Sequence, residues 1–158
     1  MENGKIDIFF TTNNDAADIE NIDYLPLKKS HFYALISEDN PLSQRKQIEI
    51  TNFSNQRMLF IDDNWTGLEM IKLQDLIQKN NENLAITYTN DVSSQFLLVK
   101  SLTNICLGLS FIFNKADSNL KWIPLKYNRV LTYGAVISKR NEDQAVKELV
   151  KFLKESNV

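Results

Sequence analysis

Residues 57–113 decide the fold, and they read RMLFIDDNWTGLEMIKLQDLIQKNNENLAITYTNDVSSQFLLVKSLTNICLGLSFIF. Short apolar runs at 57–61, 84–89 and 105–113 predict buried strands, and the two segments between them have helical spacing. A strand–helix–strand–helix–strand order is typical of a parallel α/β unit with right-handed crossovers. Ligands of such sheets bind beyond the carboxyl ends of the strands, beside helix N-termini. The sequence therefore predicts an α/β fold with binding loops at these strand ends.

The flanking segments predict more strands and a closing helix. Strands are expected at 6–12, 122–125 and 131–138, with a longer one at 24–37 that polar residues 28–31 interrupt. An amphipathic helix is expected from Glu142 to about Lys154. Its predicted inward face comprises Ala145, Leu149, Phe152 and Leu153.

Two helix starts have recognisable caps in the sequence. Thr66, with Glu69 three residues later, predicts a capping box at the start of the first helix. Asp91 is expected to cap the second helix, since an aspartate at this position accepts hydrogen bonds from the first turn.

Composition limits the class of protein. The chain has 158 residues, 43% of them apolar and 24% charged, with a formal charge of -2, so a packed core is feasible. Because no basic run exceeds two residues, the chain is not expected to hold DNA by itself. The lone Cys106 lies in an apolar stretch and is expected to be a buried hydrophobe. No signal peptide or membrane span is apparent, which predicts a cytoplasmic protein with no membrane contact.

Motifs for catalysis are missing from the sequence. His31 is the only histidine, it stands in a polar segment, and we expect it to be exposed or at a hinge. Neither a nucleophile elbow nor a phosphate-binding loop occurs, and no residues have metal-ligand spacing. We therefore expect no catalytic residue, no cofactor and no metal.

Five segments carry, in order, the patterns of one family: residues 3–8, 25–42, 47–53, 96–113 and 126–139 followed by the last helix. NGKIDI is similar to a "G-x-L-D-L-A-I" strand, and LPL with YALI and NPL is similar to an "L-x-L … H-P-L" stretch. Together the segments resemble the C-terminal effector-binding domain of LysR-type transcriptional regulators. The chain departs from that pattern in having no Gly-x-Gly before the third strand and Asn114 in place of a proline.

The resemblance implies a periplasmic-binding-protein type II-like fold, in which two crossing strands join Rossmann-like lobes and an effector binds between them. Residues 1–27 and 128–158 would form a partial first lobe with hinge strands, and residues 28–127 the second lobe. In the family a winged helix-turn-helix and part of the first lobe precede the "G-x-L-D" strand. We therefore expect one lobe to be incomplete and DNA binding to belong to a domain outside this chain. The resemblance also implies self-association into a homo-oligomer.

The candidate ligand-binding residues come after three predicted strands: Thr11, Thr12 and Asn13; Asn64, Trp65, Thr66 and Gly67; Thr89, Asn90 and Ser93. Their hydroxyl and amide groups suit a small-molecule effector such as a small organic acid or an amino-acid derivative. Plain polar loops are the alternative, with Trp65 covering the core. The neighbouring Asp62 and Asp63 would repel a carboxylate.

The leading hypothesis is an effector-sensing regulatory domain of a LysR-type transcription regulator, which would transmit ligand binding to a DNA-binding domain. The alternative is a stand-alone ligand-binding or dimerisation domain without direct DNA binding. An enzyme is disfavoured because no catalytic constellation is visible, although the fold alone does not exclude one.

Overall fold

The computed structural model describes residues 6–102, 104–112 and 119–155. The chain divides into two compact units. Unit 1 consists of Met1–Ser30 and Val130–Val158, and unit 2 of His31–Arg129. The chain therefore passes from one unit to the other twice, after Ser30 and after Arg129.

Unit 1 is a small antiparallel sheet with two helices. Its strands lie in the order β1-β9-β2, so the last strand stands between the first two. A bulge between Pro26 and Lys28 shifts the register of β2. Numbered in chain order, the elements are β1 (Ile8–Thr12), α1 (Asn13–Ala16), β2 (Ile22–Ser30), β9 (Leu131–Ser138) and α4 (Gln144–Glu155).

Gly134 in the central strand allows a tyrosine to cross the sheet. The Tyr24 hydroxyl donates to the backbone oxygen of Thr132 on β9 and lies 3.3 Å from the backbone oxygen of Thr11 on β1. A Cβ at Gly134 would collide with the backbone oxygen of Leu25 and with the Tyr24 ring. Burial, helped by the nearby charge of Asp15 and by Tyr133, raises the pKa of Tyr24 to about 12. Glycine is thus required here by close approach.

Unit 2 contains a six-stranded mixed sheet in the order β4-β8-β3-β7-β5-β6. Strand β5 is parallel to both β6 and β7, whereas β3 is antiparallel to β7 and β8. The elements are β3 (Phe32–Ser37), β4 (Ile48–Glu49), β5 (Arg57–Ile61), α2 (Leu68–Lys79), β6 (Ala85–Thr89), α3 (Val92–Leu102), β7 (Ile105–Leu109) and β8 (Leu120–Lys126). The parallel β5–α2–β6–α3–β7 unit predicted from residues 57–113 is confirmed.

Two predicted strands differ from the observed ones. The long strand at 24–37 is two strands, β2 and β3, with only His31 between them. The strand predicted at 105–113 ends at Leu109, and a 3-10 turn, Ser110–Ile112, comes after it. Residue 113 lies outside the described residues.

The buried face of α4 agrees with the predicted one only at Leu153. Val146 is buried and Val150 and Leu153 are half-buried, whereas Ala145 and Leu149 are exposed and Phe152 is 63% exposed. The helix starts at Gln144 because Asp143 caps it, its Oδ1 accepting from the Ala145 N–H at 2.7 Å. The sequence holds two apolar stripes one residue apart, and three of the four predicted residues belong to the exposed one.

Part of the core of unit 2 lies where α3 packs on the sheet. Leu35, Leu59, Val99 and Cys106 form a buried cluster. Cys106 is 1% exposed, and burial raises the pKa of its thiol to about 12. The prediction that Cys106 is a buried hydrophobe is confirmed.

Candidate functional site

Two of the three predicted binding loops meet at one end of the unit 2 sheet. Ile61 and Thr89 are register partners at the carboxyl ends of the parallel strands β5 and β6. The Asp62 N–H extends this pairing by donating to the Thr89 oxygen at 2.9 Å. The loop after β5 and the loop after β6 are therefore neighbours, as expected for parallel strands.

The loop after β5 is a 3-10 turn that Asp62 organises. Its carboxylate accepts from the backbone N–H of Asn64 at 3.0 Å and from the Asn64 side-chain amide at 2.8 Å. The Asp62 backbone oxygen accepts from the Trp65 N–H at 2.8 Å. Trp65 is 67% exposed, so the alternative in which it covers the core is wrong. Its ring offers an aromatic surface beside the strand ends.

Helix α2 starts one residue later than predicted, and without a capping box. Gly67 is the N-cap, and no side chain caps the helix there. Thr66 has an extended backbone as the end of the preceding turn, and the Glu69 carboxylate bonds elsewhere. The predicted capping box of Thr66 and Glu69 is therefore wrong.

Glu69 is a buried carboxylate that the sequence interpretation missed. Its side chain is 6% exposed, and Oε1 accepts from the Tyr127 hydroxyl at 2.8 Å. Arg129 Nε lies 3.6 Å from Oε1, and Lys72 Nζ lies 3.6 Å from Oε2. Burial and the bond to Glu69 raise the pKa of Tyr127 to about 12. Phe32 packs edge-on against the Tyr127 ring, with centroids 5.4 Å apart.

This cluster has two structural consequences. A carboxylate in the first turn of α2 interacts favourably with the positive end of the helix dipole. Tyr127 and Arg129 stand immediately before Val130, where the chain returns to unit 1. Glu69 thus ties the N-terminal turn of α2 to the end of unit 2. Only the i, i+3 spacing of Glu69 and Lys72 is visible in the sequence, since the other partners are about sixty residues away.

The loop after β6 contains one structural threonine, one cap and two exposed polar residues. The Thr89 side chain is buried, and its hydroxyl donates to the Phe60 oxygen at 3.3 Å. Asp91 accepts from the N–H and the hydroxyl of Ser94 at 2.8 and 2.6 Å, which confirms that it caps α3. These bonds lower the pKa of Asp91. Asn90 and Ser93 are exposed and present an amide and a hydroxyl.

The third predicted loop lies in unit 1, at the end of β1. Thr12 is buried, caps α1 and donates to Asp15 Oδ2 at 2.7 Å. The Asn13 side-chain oxygen accepts from the Thr132 N–H at 2.7 Å, which joins the loop to β9. Thr11 is half-buried, with its hydroxyl 3.5 Å from Asp15. Ligand contact by Thr11, Thr12 and Asn13 stays a prediction.

Three expectations from the sequence concern His31, metal binding and membrane spans. His31 is exposed, as predicted, at the first passage between units. Among residues 6–102, 104–112 and 119–155, no group of three or more His, Cys, Asp or Glu side chains could hold a metal ion. In the same residues, no helix is long and apolar enough to cross a membrane.

Comparison with solved structures identifies the class of fold. The reduced regulatory domain of OxyR from Pseudomonas aeruginosa matches with a TM-score of 0.72 at 11% identity, covering 96% of this chain and 73% of that one. HinK, a LysR family regulator from Pseudomonas aeruginosa, matches at 0.76 and 15% identity, covering 99% and 54%. The effector-binding domain of QuiR in complex with shikimate matches at 0.73 and 18% identity, covering 96% and 71%. The fold is therefore the periplasmic-binding-protein type II-like fold of LysR regulatory domains.

The family is established by the sequence match. The family model of the LysR substrate binding domain matches residues 1–157. The chain belongs to this family, which is one of regulatory domains. It spans about three quarters of the OxyR domain and about half of HinK. A comparison with curated protein sequences found no match.

Proposed function

We propose that this chain is the effector-sensing domain of a LysR-type transcription regulator. It binds a small organic molecule and transmits binding to a DNA-binding domain outside residues 1–158. The family match supports this role, and so does the similar fold of the QuiR domain, whose structure contains shikimate. A formal charge of -2 supports DNA contact through another domain, because phosphate binding needs clustered basic residues. The proposed site of action is the cytoplasm.

The proposed effector contacts lie on the two adjoining loops of unit 2. The observation that carries this proposal is the bond from the Asp62 N–H to the Thr89 oxygen, which holds the loops together. The proposed contacts are Asn64, Trp65, Thr66, Gly67, Thr89, Asn90 and Ser93. Among them Asn64, Trp65, Asn90 and Ser93 are exposed and offer their side chains directly. Thr66, Gly67 and Thr89 contribute backbone groups around the start of α2 and the end of β6.

The chemistry of these loops favours a small organic acid or an amino-acid derivative. Amide and hydroxyl groups bind carboxylate or amine groups without a buried charge. Trp65 adds an apolar surface for the rest of the molecule. Asp62, Asp63 and Asp91 are next to the site, and Asn64 and Ser94 donate to the carboxylates of Asp62 and Asp91. These bonds weaken the repulsion that a ligand carboxylate would meet.

Glu69 is the proposed route from the effector to the rest of the chain. A ligand at the start of α2 contacts the same helical turn that holds Tyr127 and Arg129. A shift of this turn changes the contacts of Glu69 with Tyr127 and Arg129, which come shortly before Val130 and unit 1. The ligand can shift a conformational equilibrium only by its differential affinity for the two states. Signalling therefore requires that Glu69 bonds differently in those states.

We also propose that the chain self-associates. Several large apolar side chains of unit 1 are exposed, including Phe10, Leu149 and Phe152. Exposed apolar patches favour association with another surface.

A thermal-shift screen against small carboxylates and amino-acid derivatives, with circular dichroism as the readout of unfolding, tests the effector site. A ligand at one hundred times its Kd stabilises the folded chain by about 2.7 kcal/mol, which is measurable. The informative variants are Trp65→Ala and Ser93→Ala. Ser101→Ala is the matched control, because it removes the same hydroxyl from the last turn of the same helix.

Each result decides a separate point. Stabilisation that is lost in Trp65→Ala and Ser93→Ala but kept in Ser101→Ala supports both the function and the site. Stabilisation that all three variants keep supports effector sensing and refutes this site. If no compound stabilises the chain, effector sensing is refuted, and the dimerisation domain without ligand becomes the better interpretation.

A further inference from the structure

A cavity of about 500 Å³ lies within unit 1. Its wall is formed by β2, the end of β9 with the turn after it, and the inner side of α4. Ligand-binding pockets have volumes of roughly 300–1,000 Å³. No residue of the proposed effector site lines this cavity, so binding here would be independent of the proposed function.

Part of the cavity lining is apolar. Leu25 of β2 and Ile137 of β9 contribute from the sheet, and Val146 and Val150 contribute from α4. These four side chains come from the face that packs the helix onto the sheet, and Val146 is buried. An occupant therefore needs an apolar body that can replace water against this lining.

The polar part of the lining contains three lysines, one aspartate and the neutral side chains of Tyr24, Ser138 and Asn141. Lys139, Lys147 and Lys154 line the cavity, and Asp23 is the one carboxylate that does so. In the described part of the chain, none of these lysines has an ion-pair partner within 4.0 Å. Three lysines and one carboxylate thus line the cavity, which is locally cationic although the chain as a whole is acidic.

The three lysines are exposed, and they belong to two different elements. Lysines commonly lay their methylene stems on apolar surface and keep the ammonium in water. Here Lys147 and Lys154 come from two turns of α4 and Lys139 comes from the turn after β9, so the charges approach from two elements. Lysines of two elements can approach one ligand anion from different sides, which a row of charges on a single helix face does not do.

We propose that this cavity of unit 1 binds a small organic monocarboxylate with an apolar body. The apolar body occupies the space lined by Leu25, Ile137 and Val146. The carboxylate lies at the lysines, where hydrogen bonds from ammonium to carboxylate are charge-assisted. Inorganic anions lack an apolar body, and cations meet three like charges, so both bind more weakly than the organic anion.

A titration of the ¹⁵N-labelled chain with sodium octanoate, monitored by amide chemical shifts, tests the proposal. Octan-1-ol is the neutral control of equal length. The expected shifts are saturable and centre on the amides of Leu25, Ile137 and Val146. Octan-1-ol should bind at least about fivefold more weakly, and added salt should weaken octanoate binding because salt screens exposed charges.

Two lysine variants of α4 distinguish binding at the cavity from a nonspecific attraction between octanoate and positive charge. Lys147→Ala removes a lining charge and should weaken octanoate binding about fivefold, near the upper range of one exposed pair. Lys151→Ala is the matched control, since Lys151 does not line the cavity and pairs with Glu155 at 4.0 Å. Its affinity for octanoate should stay within about twofold of the parent chain.

Three results would overturn the proposal. The first is equal binding of octanoate and octan-1-ol, which would mean that the lysines do not select an anion. The second is equal weakening by both lysine variants. The third is the absence of saturable shifts at the cavity, whether because nothing binds or because octanoate binds at Phe152. None of these results bears on the loops of unit 2, so the proposed effector site would be unaffected.

Discussion

Removing the Tyr127 hydroxyl should destabilise unit 2 strongly, although the substitution by phenylalanine leaves the aromatic ring in place. In Tyr127→Phe the ring keeps its edge-on contact with Phe32, and the 2.8 Å bond to the buried Glu69 carboxylate is lost together with the interaction between the hydroxyl and Arg129. A hydrogen bond to a charged group contributes about 1.5–3 kcal/mol. The partners that remain, Arg129 and Lys72, lie 3.6 Å from the carboxylate and are mostly exposed, so they compensate little. We expect a loss of about 2 kcal/mol.

Urea unfolding monitored by tryptophan fluorescence measures this loss in the right unit. Trp65 and Trp122 are the two tryptophans of the chain, and both belong to unit 2. With a slope of about 2 kcal/mol per molar urea, the midpoint should fall by about 1 M. Tyr88→Phe is the matched control, because that tyrosine is exposed at the sheet edge and should change stability by less than about 0.5 kcal/mol.

The same experiment can refute the argument. Arg129→Gln removes an exposed partner at longer distance and should cost at most about 1 kcal/mol. In a Glu69→Gln background the effect of Tyr127→Phe should shrink, because the charged acceptor is gone. A loss below about 0.5 kcal/mol in Tyr127→Phe, or a larger loss in Arg129→Gln, would show that the hydroxyl does not hold Glu69.

Three further predictions concern close approach, burial and association. Gly134→Ala places a Cβ against the Leu25 oxygen and should cost about 1–3 kcal/mol, as overpacking does, seen as faster hydrogen exchange of β1, β2 and β9. Cys106, whose pKa is raised from 9.0 to about 12, should hold about a thousandfold less thiolate at pH 8 than a free thiol, so iodoacetamide should label it only on unfolding. Because the pKa of the Cys106 thiol is raised, the contribution of this thiol to the free energy of unfolding is complete below pH 9 and is lost as the pH rises through about 12. Cys106→Ala should therefore reduce the loss of stability that is measured in an alkaline unfolding titration. Phe152→Ser should weaken self-association in sedimentation velocity, whereas the neighbouring Lys151→Ser should not, and equal effects would argue against an apolar contact.

The parallel half of unit 2 was predictable because it depends on local signals. Strand β5 has the predicted bounds, Arg57–Ile61, and its apolar run is short and bounded by polar residues. A short apolar run of this kind is typical of a parallel strand that is buried on both faces of the sheet. Asp91 caps α3 as predicted, since an aspartate cap acts within one helical turn. These two features together imply that the loops after β5 and β6 are adjacent.

The closing helix shows where a local pattern stops being decisive. Two overlapping stripes of α4 are apolar, one through Ala145, Leu149 and Phe152 and the other through Val146, Val150 and Leu153. Helical spacing fits both stripes equally well. Packing against β2 selects the second stripe, so the choice depends on tertiary contacts that periodicity does not encode.

Glu69, at the candidate site, shows most clearly that a local sequence pattern does not determine tertiary contacts. At three residues after Thr66, a glutamate satisfies the local capping pattern, and a local interpretation has no reason to look further. The carboxylate instead bonds Tyr127, 58 positions along the chain, and approaches Arg129. Burying a charge is costly unless it is paired, and a cap bond alone would leave this one without a countercharge. The tertiary arrangement therefore prevails over the local pattern, and it does so at the helix start where we place the effector.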